Sequence, residues 1–110
     1  MHKTFKDYQL DAYGTAVYPD DSKIIYPALG LAGEAGEVAN KVKKIIRDGK
    51  GNMPENYKDQ IAGEIGDVLW YCATLAHDLG YDLGEIAEKN LLKLQSRQKR
   101  NAIAGSGDNR

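Results

Sequence analysis

Two stretches of this sequence carry carboxylates in the same frame. Leu31-Ala32-Gly33-Glu34-Ala35-Gly36-Glu37-Val38 recurs as Ile61-Ala62-Gly63-Glu64-Ile65-Gly66-Asp67-Val68, 30 residues further on. On a helix turning about 100° per residue, Glu34 and Glu37 fall one turn apart on a shoulder of the stripe Leu31, Ala35, Val38, Val42, Ile45 and Ile46. Glu64 and Asp67 hold the same relation to Ile61, Ile65, Val68, Cys72, Leu75 and Leu79. If the two apolar faces pack together, four acids converge. Carboxylates that close repel one another unless a cation sits among them. A hard dication with oxygen ligands answers that need: Mg²⁺ first, Mn²⁺ as a substitute. His2 and His77 lie off the acid shoulder, against the Glu-x-x-His signature of a di-iron bundle. Either acid pair alone would describe an ordinary solvated face; two pairs in a matching glycine-flanked frame argue for a site. Gly33, Gly36, Gly63 and Gly66 each cost roughly 1 kcal/mol of helix propensity against alanine. That points to a close approach there, by a ligand or by another helix.

Cations and aromatics are placed to complete such a site. In the last helical stretch, Asn90 lies near the centre of the stripe Leu83, Ala87, Leu91 and Leu94, and Lys93 and Arg97 continue along its flank. An amide followed by two cations suits the neutralisation and alignment of a phosphate chain. Lys41 extends the Glu34/Glu37 shoulder by a turn and could serve likewise. The alternative is a solvated helix end whose Lys93, Arg97, Lys99 and Arg100 answer the macrodipole. Trp70 and Tyr71 follow the second acid pair, and either could stack on a nucleobase or pack between helices or subunits. Gln9, with Tyr8 and Tyr13, is a further candidate for base contact. Gly105-Ser106-Gly107-Asp108-Asn109-Arg110 reads as plain tail, or as a lid whose amides and Arg110 close on an anion. Cys72 lies within the apolar stripe and reads as core.

The periodicity predicts four helices to hold these residues. The first runs from about Thr4, placed to cap it, to Tyr18, and Pro19-Asp20-Asp21-Ser22 breaks it. The second runs from Pro27, as its first residue, to Asp48, before the loop Gly49-Lys50-Gly51-Asn52. The third spans about Pro54 to Leu79, closed by Gly80. The fourth opens at Asp82, with Glu85 completing a capping box, and ends near Arg100. No period-2 alternation is sustained, so no sheet is expected. The fold expected is all-α, an antiparallel four-helix bundle-like arrangement. It is expected as one domain over residues 1–110, with 102–110 a flexible tail or lid.

Composition narrows the function classes. Fifteen Lys and Arg against sixteen Asp and Glu leave a net charge of −1, which argues against a nucleic-acid binder resting on a broad cationic face. No apolar run approaches the ~18 residues of a membrane span, and the N-terminus lacks the apolar core of a secretory signal. One cysteine excludes an internal disulfide framework. The expectation is a soluble protein of the reducing cytoplasm, binding neither nucleic acid nor membrane.

Taken together, Gly30 to Val38, Glu64 to Tyr71 and Asn90-Leu91-Leu92-Lys93-Leu94 resemble the MazG-like nucleotide pyrophosphohydrolases, in which Glu-x-x-Glu is followed on another helix by Glu-x-x-Asp. Tyr8-Gln9 and the Gly-Ser-Gly-Asp-Asn-Arg ending resemble the short single-domain branch. The resemblance implies the all-α NTP pyrophosphatase fold and Mg²⁺-dependent hydrolysis of nucleoside triphosphates, dNTPs or non-canonical NTPs, to monophosphate and pyrophosphate. It implies Glu34, Glu37, Glu64 and Asp67 as metal ligands, and Asn90 and Lys93 as phosphate-holding residues. It also implies a homodimer or homotetramer and a role in nucleotide-pool housecleaning. The rival readings are a non-enzymatic helical protein that binds nucleotides or a partner, and a hydrolase of nucleoside diphosphates or other phosphoanhydrides.

Overall fold

A computed structural model of the chain describes residues 4–49 and 53–100. The architecture is all-helical: α1 (Phe5–Tyr13), a 3-10 turn (Asp20–Ser22), α2 (Ile25–Gly49), α3 (Glu55–Asp78) and α4 (Leu83–Lys99), with no strand among the described residues. Helix starts follow local chemistry. The Thr4 side chain accepts from the Asp7 amide at 3.1 Å, and Asp82 Oδ1 accepts from Gly84 N at 2.7 Å and Glu85 N at 3.3 Å. Pro54 stands at the N-cap of α3. That helix closes on Gly80, whose φ of +85° suits a residue without Cβ. There the Gly80 and Tyr81 amides return to the carbonyls of His77 and Ala76.

Two boundaries differ from expectation. The first helix stops at Tyr13, five residues short of Tyr18, because Gly14 caps it and the chain turns through Thr15 and Ala16. The second begins two residues before Pro27, which is fully buried in the first turn, where its missing N–H costs nothing. Just before it, Ile24 has a φ of +70°, a conformation a β-branched residue resists. Its amide donates to Asp78 Oδ2 at 2.9 Å, and Tyr13 and Tyr18 donate their hydroxyls to the same carboxylate.

The third helix is the common neighbour of the other three, and its main partner is α2. Ala12, Ala73 and Leu83 form a small buried cluster, with Tyr8, Leu69, Trp70 and Cys72 packed against it. The pairing of α2 with α3 is antiparallel. Lys41 meets Gln60 and Glu64, Glu34 meets Glu64 and Asp67, and Gly30 meets Tyr71. In that register the two repeated octapeptides lie side by side, and acids from both repeats meet.

Candidate metal centre

The convergence of the acids is the main consequence of that pairing. Glu34 from α2 and Glu64 and Asp67 from α3 each offer a carboxylate oxygen, and these oxygens lie within 4.8 Å of one another. Glu34 and Glu64 are half-buried and Asp67 is exposed. Glu34 shares a hydrogen bond with Glu64, which pushes its carboxyl above the ordinary carboxylate range; partial desolvation and the charges of Asp67, Glu64 and Glu37 push the same way. Glu37, expected as a fourth ligand, stands outside the trio on the exposed side of α2. The donor set is all oxygen and its repulsion is unrelieved by the acids themselves, so these residues fit a hard dication.

Several neighbours reach this cluster. Lys41 Nζ lies 3.9 Å from Glu64 Oε1 and 3.5 Å from Gln60 Oε1. Tyr71 lies at the other end of the acids, its ring laid across the backbone of α2. A Cβ on Gly30 would fall 2.2 to 2.6 Å from three of its ring carbons. The Tyr71 phenol is pushed up by burial first, then by Tyr26, Glu34 and Asp67. Tyr8 is pushed up by burial and by Asp67, which places α1 beside the same acids. Tyr26 borders Tyr71 at 6.5 Å between ring centres and stacks on Tyr18 at 4.9 Å. Nothing in the pattern around Tyr26 or Gly30 marks them as neighbours of the acids; each is found only once α2 and α3 are paired.

Other expected site residues are placed elsewhere. Gln9 is buried among helix ends, not offered to a base. Its amide nitrogen donates to Ala73 O at 3.1 Å and Tyr81 O at 2.9 Å, and its oxygen accepts from Leu83 N at 3.0 Å. All three contacts tie α1 to the junction of α3 and α4. Trp70 donates Nε1 to Thr15 Oγ1 at 2.9 Å in the turn after α1, meets Tyr71 edge-on and packs against the Ala12, Ala73 and Leu83 cluster. Asn90 and Lys93 line a cavity of about 620 Å³ with Tyr81, Glu85, Ile86 and Lys89, and none of the clustered acids lines it. Arg97 is 2% exposed on the same helix. Asn90 and Lys93 thus line a different surface from the clustered acids. Arg110, and the tail proposed as a lid, lie outside the described residues.

The glycines also depart from one expectation. A Cβ on Gly33, Gly36, Gly63 or Gly66 would meet nothing within 4 Å among the described residues. Tight packing between helices of one chain therefore does not account for them. Their space opens outward beside the acids.

Comparison with known proteins identifies a family. The family model of the MazG nucleotide pyrophosphohydrolase domain matches residues 27–101, the span that holds both acid repeats. The chain is 48% identical over 109 residues to the Gene 37 protein of Mycobacterium phage L5, covering 94% of this chain and 96% of that one. No solved structure matches it.

Proposed function

The chain belongs to the MazG nucleotide pyrophosphohydrolase family, and on that premise we propose that it hydrolyses nucleoside triphosphates to monophosphate and pyrophosphate with Mg²⁺. The observation that carries the proposal is the meeting of Glu34, Glu64 and Asp67 from two matched repeats. A dication held by these acids would supply charge neutralisation for the phosphate oxygens and a more acidic water. Glu34, Glu64 and Asp67 hold it; Glu37, on the next turn and outside the trio, accepts the proton the water gives up. The water oxygen bonds to the α-phosphorus, the bond to the bridging oxygen breaks, and pyrophosphate departs with the electron pair. Tyr71 and Tyr26 form an aromatic border beside the acids against which a base would rest. Asn90, Lys93 and Arg97 are kept as phosphate partners. The cavity that Asn90 and Lys93 line holds none of the clustered acids, so we propose that a second copy of the chain lends its α4 to complete the site. The preferred substrates are dNTPs or non-canonical NTPs, and a single thiol suits a reducing compartment.

The test is product chromatography over a panel of canonical and modified triphosphates, with Mg²⁺ and with chelator. Pyrophosphate and monophosphate formed only with metal support the proposal. Orthophosphate as product would move the activity to another phosphoanhydride, and no product in any mixture would leave a binding protein.

A further inference from the structure

The two repeats match through their acids and then diverge. Seven residues after the first glutamate of each copy, the first carries Lys41 and the second carries Tyr71. The antiparallel pairing sets these two at opposite ends of the acid cluster. Tyr71 closes one end against Gly30. At the other end Lys41 crosses from α2 to α3, with Nζ 3.9 Å from Glu64 Oε1 and 3.5 Å from Gln60 Oε1. The lysine and glutamate side chains are only 24% and 19% exposed, so the pair is partly withdrawn from solvent. A lysine on a four-carbon stem can hold this position or swing outward, because its ammonium is a point charge with no fixed fork geometry.

We propose that Lys41 is an exchangeable counter-ion of the metal centre. Its ammonium pairs with Glu64 at 3.9 Å. When a dication takes that carboxylate, like-charge repulsion releases the ammonium to the phosphate chain of the incoming nucleotide. The inference rests on the reading of the acids as a metal centre and adds a positioning residue to it. Charge supports the exchange. An ammonium 3.9 Å from Glu64 offsets part of the repulsion among the clustered acids. The same lysine disfavours a dication while it stays, and favours a polyanion once it leaves. Metal and nucleotide then load in a coupled way, since metal binding frees the cation that the phosphates need.

The experiment is calorimetric titration of metal-stripped protein with Mg²⁺ alone, and then of the Mg²⁺-saturated protein with a non-hydrolysable triphosphate. Wild type is compared with Lys41→Met and Lys41→Arg. Lys41→Met is expected to bind Mg²⁺ about 3- to 10-fold more tightly and the triphosphate more weakly by a similar factor. Lys41→Arg should lie near wild type for both. A variant that is merely misfolded would lose affinity for both ligands, so the opposite signs are the signature. Mg²⁺ affinity unchanged or weakened in Lys41→Met, or triphosphate affinity unchanged, would overturn the exchange while leaving the metal centre standing. Wild-type protein that takes up no Mg²⁺ would remove both.

Discussion

The Asp78 carboxylate accepts three hydrogen bonds: from Tyr13 at 2.9 Å, from Tyr18 at 2.8 Å and from the Ile24 amide at 2.9 Å. Burial works against its charge, but the Ile24 amide, the two hydroxyls and Lys23 outweigh it, so its carboxyl lies below the usual 3.8. A depressed carboxylate pKa contributes stability that is complete above the unfolded value and is lost as pH falls through the folded one. Acid titration of the fold should therefore show a loss below about pH 4 that is absent in Asp78→Asn. The variant should be less stable at neutral pH by about 1–2 kcal/mol, since one amide oxygen cannot serve three donors and solvent already shares the site. Urea unfolding of both proteins across that range checks it. An identical acid slope in the two would show that Asp78 holds no such role. The sequence marked the local caps, Thr4 and Asp82, because their partners lie two or three residues away. Asp78 and Gln9 could not be read in this way, because their partners lie 54 to 74 residues distant. A glutamine in an amphipathic helix looks the same whether it meets a base or three backbone groups.

At the scale of elements, the repeat was the informative signal. It put two acid shoulders on two helices, and the short link between α2 and α3 made those helices antiparallel neighbours. Three of the four acids meet as that pairing requires. Glu37 stands outside that cluster on the exposed side of α2, although Asp67, its counterpart in the second repeat, joins it. The glycines separate into two kinds. Gly30 lies under the Tyr71 ring, and Gly30→Ala should destabilise the protein by about 1–3 kcal/mol through overpacking. Gly33 and Gly63 face open space. Alanine at either should raise thermal stability by up to roughly 1 kcal/mol. If the space serves a ligand or a second copy, the same alanines should lower nucleotide affinity. Melting curves of the three variants, with and without a non-hydrolysable triphosphate, decide it. Destabilisation by Gly33→Ala in the free protein would contradict the open-space assignment. The glycine penalty was visible in sequence, but its cause was not: composition cannot distinguish a glycine under a ring from one beside a void.

For the whole molecule, the apolar residues exceed what one chain covers. Leu29, Ile46 and Ile65 are 70%, 71% and 56% exposed, and Leu91 and Leu92 on α4 are likewise uncovered. The radius of gyration is 16.7 Å, against about 13 Å for a compact domain of ~100 residues. Val42, Ile46, Ile65, Leu79 and Leu91 belong to stripes that the periodicity assigns to a core, yet each is exposed, because the pattern shows that a face is apolar without saying what covers it. A second copy is the proposed cover. Sedimentation should find a dimer or tetramer of the 12.1 kDa chain, and Leu29→Glu should shift it toward monomer; a monomer in wild type at micromolar concentration would contradict the proposal. No described helix is long and apolar enough to cross a membrane. The product assay run on Glu64→Gln beside wild type tests directly whether acids from two repeats share one dication in the cleavage of a triphosphate. Wild type is expected to release pyrophosphate with Mg²⁺, and the variant to lose that activity on the order of 100-fold or more, with the helical circular dichroism unchanged. Full pyrophosphate release by a folded Glu64→Gln protein would contradict it.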